Sequence, residues 1–120
     1  MKSFVVSIML FLTMTAAIML NSIYINNVTN YLTDIAENLQ NDDDCTEEVA
    51  KIAEYWSENI DIISISVNFH ETEAVAEAIL SMIAYADSPA SPEFRYAKSR
   101  FLETLSEISL GEKITISNIL

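Results

Sequence analysis

Apolar residues fill the first part of the chain almost without a break, then recur at helical intervals through the remainder. From Ser3 to Thr33 no charged residue occurs, and the densest stretch, Phe4 to Leu20, continues through Ile23, Tyr24 and Ile25. Helix rises about 1.5 Å per residue, so roughly 20 residues match the ~30 Å hydrocarbon layer of a bilayer. The run therefore reads as a transmembrane helix. Tyr24 and Tyr31 suit its outer interface, where a ring is half buried and its hydroxyl stays wet. A cleaved secretory signal is the rival reading. The apolar stretch is longer than a signal core, however, and no small-x-small cleavage site follows it, so retention is expected.

Beyond the run the period of three and four persists. Ile25, Val28, Leu32, Ile35 and Leu39 continue the first helix to about Leu39, and Gln40-Asn41-Asp42-Asp43-Asp44 then breaks it. Asp44 and Glu47 have capping-box spacing for a second helix, whose stripe is Val49, Ile52, Trp56, Ile60, Ile63 and Val67. Ile63 to Phe69 and Ile114 to Ser117 also alternate with period two and are rich in β-branched residues, which suits strands. Two such runs make only a marginal hairpin, and helix is favoured. Asn68 and Glu71 repeat the capping spacing ahead of a third helix carrying Val75, Ile79, Met82, Ile83 and Ala86. Ser88-Pro89-Ala90-Ser91-Pro92 is a loop, and a fourth helix carries Phe94, Ala97, Phe101, Leu105 and Ile108, with Gly111 placed as its C-cap.

The pattern predicts an all-α protein: an N-terminal transmembrane helix extending into a small antiparallel three- to four-helix bundle. Residues 1–25 form the membrane anchor and residues 26–120 an acidic extracytoplasmic helical domain. One glycine and two prolines in the whole chain agree with long helices and few turns.

Charge adds direction. The net charge is −12, from 6 basic and 18 acidic residues. All the acids and all but one of the bases lie beyond Lys2, which leaves −13 on the remainder. Nucleic acid is excluded as a partner, and so is adhesion to anionic head groups; the domain is expected to stand off the bilayer. Lys2 marks the short flank as cytoplasmic, so the chain is expected in the cell membrane as a single-pass protein with its C-terminal domain outside.

Candidate chemistry is sparse. Ser3, Ser7, Leu10, Met14, Ala17 and Asn21 share one face of the anchor, and small side chains on a stripe let a partner helix approach closely in lipid. That partner is a second copy or a multi-spanning membrane protein. Asp42, Asp43 and Asp44, with Glu47 and Glu48, offer oxygen ligands for a cation, but the spacing and turn glycine of an EF-hand loop are absent. The acids read as a helix-capping loop. His70, Glu71 and Glu73 are polar candidates without the convergent ligands of a zinc site or a nucleophile to serve. No catalytic, cofactor-binding or metal-binding residue is assigned, and no cofactor is expected. Cys45, the one cysteine, is expected as a partly exposed loop thiol, with an intermolecular disulfide as the alternative. The expectation is a non-enzymatic interaction or accessory module for another membrane protein. The alternative is an extracytoplasmic cation- or ligand-binding, sensor-like bundle.

Several features in order, spread over the full length, carry a family likeness. They are Met1-Lys2-Ser3-Phe4 before the apolar run, Asn21-Ser22 closing it, Trp56 in the second helix, His70 followed by acids, and Asn118-Ile119-Leu120. In these the chain resembles a bacterial family catalogued as domain of unknown function 4363, short N-terminally anchored helical proteins of spore-forming Firmicutes. The resemblance implies a membrane partner, because members tend to be encoded beside a multi-spanning membrane protein. No activity is assigned to the family, so no catalytic residue is implied. This chain departs from it in its scarcity of lysine.

Overall fold

The computed structural model describes residues 1–39 and 43–119. Four helices follow one another: α1 Lys2–Glu37, α2 Thr46–Ile63, α3 Phe69–Tyr85 and α4 Pro92–Ile119. Among the described residues there is no strand. The fold is the all-α arrangement that the periodicity predicts: a long apolar first helix joined to a small bundle.

α1 is one unbroken helix of 36 residues, about 54 Å long. It contains neither glycine nor proline, so nothing in it favours a kink. Its C-terminal half carries the inward stripe Ile25, Val28, Leu32 and Ala36, all buried. The N-terminal part, here called the stalk, projects from the bundle. Its most apolar window is long enough to cross a membrane and has no buried residue. The molecule is consequently a rod of 66 × 23 × 22 Å.

Each helix packs on its neighbours in the chain, and α4 returns to α1 to close a four-membered ring. Every step is antiparallel. Tyr24 meets Asn59 across α1 and α2, and Asn21 meets Ser66 in the turn beyond α2, while Ser22 meets Glu112 and Asn26 meets Ser109 across α1 and α4. The core runs along the ring's axis: Val49, Ile52, Trp56 and Ile63 from α2, Val75, Ile79 and Met82 from α3, and Phe94, Ala97, Phe101, Leu105 and Ile108 from α4. Burial of the large side chains among these, about 1.5–3 kcal/mol for each when complete, is what holds helices of ordinary propensity in place.

Several local expectations are corrected. The cap of α2 is Cys45 rather than Asp44. The reason is that Cys45 turns inward, 3 % exposed, and its N–H donates to the Ala86 carbonyl at 2.8 Å. Asp44 then stands one residue outside and accepts from the Thr46 N–H and hydroxyl. Burial of Cys45 also removes it as an exposed loop thiol presented to a second copy. Ile63 to Phe69 is neither strand nor continued helix. α2 stops at Ile63, a turn follows, and Asn68 caps α3. Its side chain accepts from the His70 N–H at 2.8 Å, one position short of the capping-box bond to Glu71. Ile83, placed on the inward stripe of α3, is 48 % exposed.

Gly111 is the largest departure. α4 continues through it to Ile119, taking in the strand-like Ile114 to Ser117. Gly111 has no positive φ, so it lacks the left-handed backbone that a C-cap glycine provides. The helix continues because its inward face still has something to bury: Glu112 follows Ile108 by four residues and lands on α1.

Candidate functional site

The stalk is the first candidate surface. Ser3, Ser7, Leu10, Met14 and Ala17 are all exposed along it, as a free helix face requires. Asn21 is not free in this sense. It is half buried, and its amide donates to the Ser66 hydroxyl at 2.7 Å, so the chain's own α2–α3 turn occupies that position. The face open to a partner therefore ends at Ala17. Tyr24 and Tyr31 are engaged within the protein: the Tyr24 hydroxyl donates to Asn59, and the Tyr31 ring lies 4.4 Å from that of Tyr55 at 42°.

The stalk end of the bundle gathers polar groups that sequence reasoning passes over. The Ser22 hydroxyl donates to Glu112 Oε2 at 2.6 Å, and both residues are buried. One turn above, the Ser109 hydroxyl donates to Asn26 Oδ1 at 2.7 Å. Glu71, half buried at the start of α3, has its carboxyl pushed above the usual carboxylate range by burial and then by the nearby charges of Glu107 and Glu112. Ser66, Asn68, Glu71, Glu112 and Thr115 share one shallow groove there. Its lining is made of carboxylates, hydroxyls and the Asn68 amide beside the apolar Val67 and Ile108. The signal for Ser22 and Glu112 was present: each continues an inward stripe, Ser22 below Ile25 and Glu112 beyond Ile108. Reading Gly111 as a terminus cut the α4 stripe one position too soon.

The remaining sequence candidates do not assemble. His70 is exposed at the second position of α3, its ring 6.3 Å from that of Phe69, and Glu73 is exposed. His70 and Glu71 thus adjoin in sequence, but only Glu71 reaches the groove. Asp43 and Asp44 lie at the opposite end of the bundle, near Cys45, and Asp42 lies outside the described residues. Hydrogen bonds from Thr46 hold the Asp44 carboxyl below its ordinary range, which is the electrostatics of a turn. Among the described residues no three histidine, cysteine or carboxylate groups converge as metal ligands.

Comparisons with protein-family models, with curated proteins and with solved structures return no match.

Proposed function

We propose that this chain is a membrane-tethered, non-enzymatic interaction module: the stalk crosses a bilayer and packs against another membrane protein or a second copy, and the bundle is presented on the outer side. The observation that carries this reading is the stalk itself. Phe4, Met9, Leu10, Phe11, Leu12, Met14 and Leu20 are each more than half exposed, an apolar surface far larger than proteins leave in water. Lipid is the solvent that suits it, because a helix satisfies its own backbone bonds there. Even the Thr13 hydroxyl bonds inside the helix, to the Met9 carbonyl at 2.8 Å.

The Ser3, Ser7, Ala17 face supports a helical partner, since small side chains permit close backbone approach in lipid. Lys2 favours a cytoplasmic N-terminus. The resemblance to anchored proteins encoded beside multi-spanning ones points the same way.

Photo-cross-linking in native membranes tests the reading. A photoreactive residue at Leu10 or Met14 should give a discrete protein adduct, and one at Leu12, on the opposite face, should give lipid adducts only. Lipid adducts at all three positions remove the partner, and release of the chain by alkaline carbonate removes the tether.

A further inference from the structure

We propose that the bundle does not stand clear of the bilayer but is seated in it, with the α2–α3 turn and the last two turns of α4 inserted into the outer leaflet. This rests on the membrane tether proposed above. The level of the membrane along the rod follows from the stalk. A span of about 20 residues that begins just after Lys2 ends near Asn21 and Ser22. Two hydrogen bonds fix what else lies at that level: Asn21 to Ser66 brings in the α2–α3 turn, and Ser22 to Glu112 brings in α4.

α4 does not stop there. The antiparallel register that pairs Asn26 with Ser109 and Ser22 with Glu112 carries Ile119 about 10 Å further toward the N-terminus of α1, beside Thr15. Thr15 and Met19 are half buried, whereas every stalk residue before Thr15 is exposed. The outer third of the apolar span is thus two helices wide.

The chemistry of both segments fits lipid. Residues 62–69 and 114–119 contain no charged side chain, although 20 % of the chain is charged. Ile65 is 81 % exposed, Phe69 72 % and Ile114 52 %, at the end of the bundle from which the stalk emerges. Thr115 returns its hydroxyl to the Gly111 carbonyl at 3.0 Å, so that group needs no water. Lys113 stands at the boundary, where a long stem lets its ammonium reach the head groups. The acidic character of the bundle remains compatible with this seating, provided that the lipid is zwitterionic.

Site-directed fluorescence on the full chain tests the proposal. In a Cys45→Ala background with an unchanged melting curve, single cysteines replace Ile65, Ile114, Phe11 and Glu47, and each carries an environment-sensitive dye. The chains are reconstituted in phosphatidylcholine vesicles. Dyes at positions 65 and 114 should be quenched by lipids with shallow nitroxides and be several-fold less quenched by aqueous iodide than the dye at 47. The dye at 11 should respond to deep nitroxides. If 11 is lipid-quenched while 65 and 114 match 47 in iodide, the seating is wrong and the tether stands. If 65 and 114 are shielded from iodide but ignore lipid nitroxides, a protein covers this rim and the lipid assignment is overturned. A dye at 11 that responds to iodide alone overturns both.

Discussion

Ser22 and Glu112 form a buried contact at which a single atom matters. The serine hydroxyl donates to a carboxylate that has little access to water, and a hydrogen bond to a charged group is worth about 1.5–3 kcal/mol. Ser22→Ala is therefore expected to lower the stability of the bundle by that amount, read from thermal melts in detergent. Glu71 acts in the opposite sense. Its carboxyl titrates above the ordinary range in the folded state, so the native chain holds a proton that the unfolded chain has released. Stability then falls as pH rises from the unfolded to the folded pKa, and the penalty is complete above the latter. Glu71→Gln should stabilise the bundle at neutral pH, and the gain should vanish below the ordinary carboxylate pKa. A gain independent of pH would show that burial of charge is not its cause.

At the scale of elements, α4 shows what periodicity reveals and what it hides. Phe94, Ala97, Phe101, Leu105 and Ile108 are legible as an inward stripe because core burial repeats with the helix, and all five are buried. The end of the helix is not legible, because Gly111 is both a frequent terminator and a tolerable interior residue. Only the packing partner decides between them, and that partner is Ser22, on a helix 90 residues away. For the same reason the alternation in Ile63 to Phe69 resembles a strand: Ile63 and Val67 face inward while Ile65 and Phe69 face out from a turn. Where Asn21 belongs was not legible, because its assignment required knowing where the α2–α3 turn lands. A Cβ at Gly111 meets nothing within 4 Å. Gly111→Ala should consequently stabilise α4 by about 1 kcal/mol, raising the melting temperature without altering the helical spectrum.

For the whole molecule, the two halves of α1 are held by different forces. The C-terminal half depends on the shared core, in which Phe101 and Leu105 are fully buried. The stalk before Thr15 is exposed throughout and leans on no other helix. Phe101→Ala should cost about 3–5 kcal/mol and melt the bundle at a much lower temperature. The same variant should remain with the membrane fraction after a carbonate wash, as the tether requires. Loss of both together would mean that the stalk needs the folded bundle to stay in place.

The absence of glycine and proline from α1 has a mechanical result. With no flexible joint between the apolar part and the outer part, the helix behaves as a stiff shaft. A twist or tilt of its apolar end is therefore carried along one continuous backbone to Glu37, at the far end of the bundle. The bundle can then be turned as one body, like a key held by its stem.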